Sequence, residues 1–187
     1  MIWCVDTSAW IDAVRFYNPA SPLFAHLWAF LEQAISDGRV IAPKAVHEEL
    51  KEKTLDDSVA FASVIKRVKG RLFVEETASI QARFAAITIA YPDLTRKGKP
   101  FAKSDADGWV IALAAERDAV IVSQETPKPS ALVPYKLPDV ARAFGLSTIR
   151  LDSFINAVQA EPVGSERGGV LAPEASEAQV PPEAEPE

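Results

Sequence analysis

Hydrophobic positions recur along the chain with two different periods, which predict short buried strands separated by longer amphipathic helices. Short apolar runs rich in β-branched residues have the composition of buried strands; they cover residues 2–5, 40–42, 72–74, 119–122 and 148–151. Elsewhere apolar residues recur every three or four positions, as on one helix face; these helices begin near residue 9 and cover about 22–36, 44–53, 56–69, 77–91, 105–115, 140–144 and 152–158. Alternating strands and helices predict right-handed βαβ units, and therefore an α/β protein with a central parallel sheet and helices on both faces.

The distribution of charge divides the chain into two parts. The sequence has 187 residues, of which 48% are hydrophobic, enough for one domain with a substantial core. The formal net charge of -6 is carried entirely by residues 159–187, which contain seven glutamates and one arginine. That segment is rich in Pro, Glu and Ala and poor in apolar residues. We therefore expect a folded domain over residues 1–158 and a disordered acidic tail over residues 159–187.

The few cysteines and histidines exclude several classes of site. Cys4 is the single cysteine, so no intramolecular disulfide can form, and with only two histidines the chain offers no zinc-ligand spacing. The first residues show no basic and apolar signal segment, and no apolar run is long enough to cross a bilayer. These features predict a soluble, cytoplasmic protein.

Asp6 follows the first predicted strand at the point where the chain turns into a helix. Ligand sites of open α/β sheets lie at the carboxyl ends of the strands, so this carboxylate is a candidate functional group. Aspartate is also among the best helix N-caps, which gives Asp6 an alternative, purely structural role. The segment alone does not decide between the two.

Two further acids are placed by helical geometry. Successive helix residues rotate by about 100°, which puts Glu49 beside the apolar stripe of its helix and Glu48 on the opposite face. The same reasoning puts Asp107 on the apolar stripe of its helix and points Asp105 away. Asp107 has its own structural alternative, because with Ser104 it fits a capping box in which it would occupy position N3.

Glu125 is the fourth candidate acid and follows the fourth predicted strand. In a parallel sheet all four acids fall at the same edge. Each close pair of carboxylates would repel by roughly 4 kcal/mol at about 4 Å and an effective dielectric constant near 20, so a cation is expected among them. Mg²⁺ or Mn²⁺ suits oxygen ligands, and such an ion can activate a water for attack on a phosphodiester.

Four sequence segments carry these acids: IWCVDTSAW, PKAVHEELK, ADGWVIALA and VIVSQE. In this order they resemble the four acidic motifs of PIN-domain ribonucleases, in particular a VapC-like branch of toxin–antitoxin type with a helical insert between the second and third acids. The resemblance covers about residues 1–154. It implies a three-layer α/β/α fold and metal-dependent cleavage of RNA. It also implies a cognate antitoxin as partner and leaves a homodimer open.

The motif positions also imply residue roles. The catalytic acids would be Asp6, Glu49, Asp107 and Glu125. The first three would hold Mg²⁺ or Mn²⁺, and Glu125 would complete the acidic pocket or act through water. Ser8 and Ser123 match the supporting hydroxyl residues of the first and fourth motifs. Ser123 and Glu125 stand where Thr and Asp are more usual, and Asp105 replaces Asp107 if the helix starts later than expected.

Basic residues offer two candidate contacts for the phosphates of RNA. The first is the loop before Asp107, with Arg96, Lys97, Lys99 and Lys103. The second is a cluster of Lys66, Arg67, Lys69 and Arg71. Charge runs are commonly solvated surface, which is the alternative for both. The aromatic residues Trp10, Phe16 and Tyr17 are expected in the core rather than in base stacking.

Other functional classes stay open to different degrees. Haloacid-dehalogenase-like phosphatases need a second Asp two residues after the first, where this chain has Ser8. A dinucleotide-binding fold is disfavoured because no Gly-rich turn follows the first strand. A housekeeping RNA-processing nuclease, or a non-catalytic RNA-binding or scaffold domain, is compatible with the same residues. For the tail, we expect either a solubilising extension or a segment whose glutamates compete with RNA for the basic loops.

Overall fold

The strands form the parallel sheet that the sequence predicts. A computed structural model describes residues 1–52, 59–94, 106–128 and 135–160. Within these residues the strands are β1 (Trp3–Val5), β2 (Val40–Pro43), β3 (Phe73–Val74), β4 (Val120–Val122) and β5 (Thr148–Ile149). They form a five-stranded parallel sheet in the order β3-β2-β1-β4-β5. The predicted α/β class with a central parallel sheet is confirmed.

The helices separate the strands along the chain. They are α1 (Thr7–Phe16), α2 (Ala25–Ser36), α3 (Lys44–Glu52), α4 (Val59–Leu72), α5 (Ala78–Ala90), α6 (Asp107–Arg117), α7 (Leu137–Ala143) and α8 (Leu151–Ala160). Single turns of 3₁₀ helix cover Pro22–Phe24 and Pro92–Leu94. The acidic segment 161–187 and the basic loop residues 95–103 lie outside the described residues, as does residue 56, where α4 is predicted to begin.

The helices flank the sheet, since parallel strands are joined by helical crossover connections. In the sheet, β2 and β3 lie on one side of the central strand β1, and β4 and β5 lie on its other side. Helix α6 packs on β1, β2 and β4 and contacts α5 and α7, whereas α2 and α4 both pack on β2 and contact each other, and α8 contacts α1 and α2. No helix in the described part of the chain is long and apolar enough to cross a membrane.

Strand β1 lies at the centre of the sheet and determines where the site forms. Its residues Trp3, Cys4 and Val5 are at most 1% exposed, and Val5 is in register with Val122 of β4. The backbone N–H of Asp6 donates to the carbonyl of Val122 at 2.9 Å, so β1 and β4 end side by side. Residues that follow these two strands therefore meet at one edge of the sheet.

Among the helix boundaries that differ from the prediction, those of α4 and α6 bear on the core and on the candidate site. The predicted end of α4 at about residue 69 is wrong, because the helix continues through Gly70 to Leu72, and Val68 and Leu72 both pack in the core. Helix α6 begins at Asp107 with Ala106 at its N-cap, so Asp107 occupies N1 rather than N3. This position excludes the capping box that was the structural alternative for Asp107.

Candidate active site at the carboxyl edge of the sheet

Buried polar side chains concentrate at one place in the described residues. Only four polar or charged residues there are buried, namely Asp6, Thr7, Asp107 and Ser123. Asp6 and Thr7 follow β1, Ser123 follows β4, and Asp107 begins α6. Burying polar groups costs free energy unless they are paired, so such a concentration in an otherwise apolar core indicates a site with a function.

Asp6 is the centre of a hydrogen-bond network. Its carboxylate caps α1, accepting from the backbone N–H of Ser8 at 3.3 Å. The same oxygen, Oδ2, accepts from Ser8 Oγ at 2.6 Å and from Ser123 Oγ at 3.1 Å. The two serine hydroxyls lie 3.3 Å apart. The capping role considered for Asp6 is thus real, and the supporting serines predicted from the sequence both contact this carboxylate.

The electrostatic environment of Asp6 opposes its ionisation. Burial raises the pKa of the Asp6 carboxyl above its usual value of 3.8, the hydrogen bond from Ser8 lowers it, and the negative charge of Glu49 raises it again. The net direction is upward. A buried carboxyl with a second acid close enough to act on it is the arrangement that a bound cation would relieve.

Glu49 links the second acidic segment to the third. It is partly buried on α3, whereas its neighbour Glu48 is exposed, as the helical angles predict. Its Oε1 accepts a hydrogen bond of 3.1 Å from the backbone N–H of Ala106, which immediately precedes α6. Glu49 therefore lies between Asp6, whose pKa it raises, and the start of the helix that carries Asp107.

Asp107 is 6% exposed, in agreement with its predicted position on the buried stripe of α6. At N1 its carboxylate lies in the first turn of a helix, where the helix dipole favours negative charge. Ser104 and Asp105, the proposed partner and the proposed substitute for Asp107, lie outside the described residues.

Glu125 has different surroundings from the other three acids. Its Oε2 accepts from the backbone N–H of Leu137 at 3.1 Å, and its Oε1 lies 3.3 Å from Lys136 Nζ. It thus caps the N-terminus of α7 while paired with a cation. Its own backbone N–H donates to Ser123 Oγ at 3.2 Å, which connects it to Asp6 through one serine.

Gln124 is a residue of the site that the sequence reasoning did not identify. Its backbone N–H donates to Ser8 Oγ at 3.0 Å, and its side chain bonds to Asp12 and to the backbone of Leu151. The contact with Leu151 spans 27 positions of sequence and the contact with Asp12 spans 112, so no local pattern points to either. The only available signal was the position of Gln124 between two residues of the fourth motif.

The carboxylate oxygens of the candidate site suit a hard cation chemically, although the acidic side chains do not form a tight cluster in the described residues. Carboxylate oxygens are the ligands that Mg²⁺ and Mn²⁺ prefer, and Asp6 and Glu49 repel each other without a cation. Thr7 Oγ1 is buried beside Asp6 without a hydrogen-bond partner among the described residues. Across those same residues, no group of three or more Asp, Glu, His or Cys side chains is arranged closely enough to hold a metal ion.

The second basic cluster is divided between two surfaces. Arg67 forms a two-bond ion pair with Glu32 of α2, and Arg71 donates to the carbonyl of Ser36 at 3.2 Å. Lys66 and Lys69 instead line a groove between α3 and α4. The predicted RNA contacts Arg96, Lys97, Lys99 and Lys103 lie outside the described residues.

The three aromatic residues expected in the core differ in their exposure. Trp10 is 2% exposed and Tyr17 packs edge-on against Phe24, in agreement with the prediction. Phe16 is 60% exposed, so its assignment to the core is wrong. It is the last residue of α1, where the helix leaves the core.

Comparison with known proteins gives the family of the chain. The sequence matches no curated protein. The structure is similar to that of VapBC2 from Rickettsia felis bound to a DNA fragment from their promoter, with 16% sequence identity, a TM-score of 0.44 and coverage of 80% of this chain and 98% of the other. It is also similar to FitAcB from Neisseria gonorrhoeae, with 16% identity, a TM-score of 0.45 and coverage of 79% and 96%. A family model matches residues 3–161, and the chain therefore belongs to the family DUF4411, a domain of unknown function.

Proposed function

We propose that this protein is a Mg²⁺- or Mn²⁺-dependent endoribonuclease. The observation that carries the proposal is the burial of Asp6, Asp107 and Ser123 at the carboxyl edge of the sheet, with Thr7 as the one other buried polar residue in the described part of the chain. All three were candidate site residues on sequence grounds. The resemblance of the four acidic segments to those of PIN-domain ribonucleases supplies the reaction class.

Asp6, Glu49 and Asp107 are the proposed metal ligands. When bound, the ion supplies a water of lowered pKa for attack on a phosphodiester and stabilises the leaving oxygen. The raised pKa of Asp6 supports this assignment, because burial and the charge of Glu49 both disfavour its ionised form until a cation is near. The ion pair between Asp6 or Glu49 and a bound cation would therefore replace a repulsion with an attraction.

The remaining residues orient these acids and complete the pocket. Ser8 and Ser123 both donate to Oδ2 of Asp6 and so fix the plane of its carboxylate. The proposed role of Glu125 is to complete the acidic pocket while it holds the turn after β4 against α7 through Leu137 and Lys136. Positioned groups of this kind reduce the reorganisation that the reaction requires.

We further propose that the protein is the toxin of a toxin–antitoxin pair, with an antitoxin protein as partner. This rests on the resemblance to VapC-like chains, and a homodimer is compatible with it. Expression of the chain alone should arrest growth, and co-expression of the product of an adjacent gene should restore it. Normal growth on expression of an active nuclease would favour a housekeeping RNA-processing enzyme instead.

The deciding experiment for the nuclease is cleavage of structured RNAs by the wild-type protein and by Asp6→Asn, each with Mg²⁺, with Mn²⁺ and with EDTA. We expect cleavage only by the wild type with metal. Equal cleavage in all arms would indicate a contaminating nuclease, and no cleavage with either metal would favour a non-catalytic RNA-binding or scaffold domain.

Helix α3 offers a matched pair of variants for the same assay. Glu49→Gln should abolish cleavage, since it removes a proposed metal ligand while keeping an oxygen that can accept from Ala106. Glu48→Gln removes the adjacent charge on the exposed face, where Glu48 pairs with Lys51 at 3.1 Å, and should leave cleavage unchanged. Similar losses in both variants would argue against a specific role for Glu49.

A further inference from the structure

Gln124 connects three separate elements through its side chain. It follows Ser123 in the turn after β4, and its Nε2 donates to Asp12 Oδ2 of α1 at 2.9 Å. Its Oε1 accepts from the backbone N–H of Leu151, the first residue of α8, at 3.3 Å. Both polar ends of the amide are therefore used, one by a helix side chain and the other by a helix N-terminus.

The backbone of Gln124 connects the same turn to the candidate site. Its N–H donates to Ser8 Oγ at 3.0 Å, and Ser8 Oγ donates to Asp6 Oδ2 at 2.6 Å. The position of this N–H sets the position of the Ser8 hydroxyl, which in turn orients the carboxylate. A displacement of the turn after β4 should therefore move the Ser8 hydroxyl and change the orientation of the Asp6 carboxylate.

The residue type matches both neighbours in a way that few side chains can. An ionised Asp12 only accepts hydrogen bonds, and the N–H of Leu151 only donates. A glutamine donates at one end and accepts at the other, whereas Glu lacks the donor, Lys lacks the acceptor and Leu lacks both. The site thus selects for an uncharged amide of this length.

We propose that Gln124 is a positioning residue for Asp6, acting through the turn after β4 and the hydroxyl of Ser8. The inference rests on the proposed nuclease function, because the quantity that it controls is the orientation of a proposed metal ligand. Gln124 does not itself contact Asp6 in the hydrogen-bond network. Its loss should lower kcat about 10- to 100-fold, as is typical of outer groups that orient metal ligands, with little change in KM for RNA.

The test uses an exchange of donor and acceptor. Gln124→Glu keeps an acceptor for Leu151 but places a carboxylate against that of Asp12, and should lower kcat. The double variant Asp12→Asn with Gln124→Glu reverses the hydrogen bond and keeps the total charge of the pair, so it should recover most of the lost kcat. A general loss of stability would lower the free energy of unfolding of Gln124→Glu, whereas loss of positioning should lower kcat with KM and the free energy of unfolding nearly unchanged.

Gln33 provides a matched control at a distant surface. Its Nε2 donates to Asp37 Oδ1 at 2.8 Å, so Gln33→Glu creates the same kind of repulsion on α2. This variant should cleave like the wild type. Wild-type kcat for Gln124→Glu, or an equal loss for Gln33→Glu, would overturn the proposal.

Amide hydrogen exchange tests the linkage independently of cleavage. The amide protons of residues 124 and 151 are hydrogen-bonded in the wild type; both should exchange faster in Gln124→Leu, which lacks the whole amide group. In Gln124→Glu the amide of residue 124 should exchange faster, and the double variant should restore its protection. If the wild type cleaves no RNA, the nuclease proposal fails, and these exchange rates still decide the linkage, since unchanged rates in every variant would overturn it.

Discussion

The Glu49 carboxylate accepts a hydrogen bond of 3.1 Å from the backbone N–H of Ala106, although the two residues are 57 positions apart in sequence. Ala106 is the N-cap of α6, and its own side chain offers no cap to that helix. The carboxylate of Glu49 on α3 therefore accepts a hydrogen bond from the N-terminus of α6, the helix that carries Asp107. The second and third acidic segments are physically connected through this bond.

The bond between Glu49 and Ala106 predicts that Glu49→Ala destabilises the fold as well as removing a proposed ligand. Loss of a hydrogen bond to a charged acceptor should lower the free energy of unfolding by about 1–3 kcal/mol, measured in urea with EDTA present. Glu48→Ala, on the exposed face, should change it by less than about 1 kcal/mol. Equal values for the two variants would mean that the bond stabilises the fold by no more than the repulsion between Glu49 and Asp6 that the same variant removes.

Burial of Asp6 predicts that Asp6→Asn is more stable than the wild type in EDTA at neutral pH. Because the pKa of Asp6 is raised in the fold, the folded state binds the proton more tightly than the unfolded state, and wild-type stability falls as pH rises above 3.8 toward the folded pKa. The advantage of the Asn variant should accordingly be absent below about pH 4 and grow with pH.

Urea unfolding of both proteins from pH 3.5 to 7.5 measures this difference directly. Asp37→Asn, at an exposed site at the C-terminal end of α2, is the control for replacing an aspartate outside the core. Addition of Mg²⁺ at neutral pH should stabilise the wild type and not Asp6→Asn. A pH-independent difference between Asp6→Asn and the wild type would show that the charge of Asp6 is not the cause.

The position of the candidate site followed from the sequence because strand ends are local features. The run before Asp6 and the run before Ser123 each end in polar residues, and parallel pairing brings such ends together. Helical angles separated Glu49 from Glu48 for the same reason, since a helix face depends only on spacing. The capping box of Ser104 and Asp107 does not form because it requires a helix that begins at about residue 105. The helix begins at Asp107 instead.

Long-range contacts account for what the sequence did not predict. The pairing of Glu125 with Lys136 crosses a proline-rich stretch whose path no local pattern defines. The two bonds of the Gln124 side chain depend on how α1 and α8 pack beside β4. The low helix propensity of Gly70 favours an end of α4 at residue 69, but burial of Leu72 outweighs that preference.

The placement of Gly70 within α4 predicts that Gly70→Ala stabilises the protein. Its surroundings leave room for a methyl group, with nothing within 4 Å of the added Cβ, and its φ is negative. Alanine should raise the free energy of unfolding by about 0.5–1 kcal/mol through helix propensity and reduced unfolded-state entropy. Gly38→Ala is the control; its φ of +71° should make that variant less stable by about 1 kcal/mol. A loss of stability in Gly70→Ala would indicate that α4 is not continuous there.

The position of Cys4 in the central strand predicts an inert thiol. Cys4 is fully buried, and burial raises its pKa far above the ordinary value of 9.0, with a further increase from the charge of Asp6. Since the thiolate is the reactive form, iodoacetamide at pH 8 should modify the native protein far more slowly than the protein in guanidinium chloride. Mass spectrometry over time measures both rates. Comparable rates would show that β1 opens readily.

The basic loop before α6 predicts a salt-dependent contribution to RNA binding. Each lysine or arginine that neutralises a phosphate of single-stranded RNA contributes about 0.7 to the slope of log K against log salt concentration. The triple variant of Arg96, Lys97 and Lys99 to Gln should therefore bind more weakly at low salt, with a slope reduced by up to about 2.

The control is Arg67→Gln with Arg71→Gln, because these arginines are held by Glu32 and Ser36 of α2 and should contribute little to binding. Measurements in the Asp6→Asn background with EDTA separate binding from cleavage. An unchanged slope in the triple variant would exclude this loop from the RNA-binding surface. A larger effect of Arg67→Gln with Arg71→Gln would place that surface on the side of α4 that faces α2.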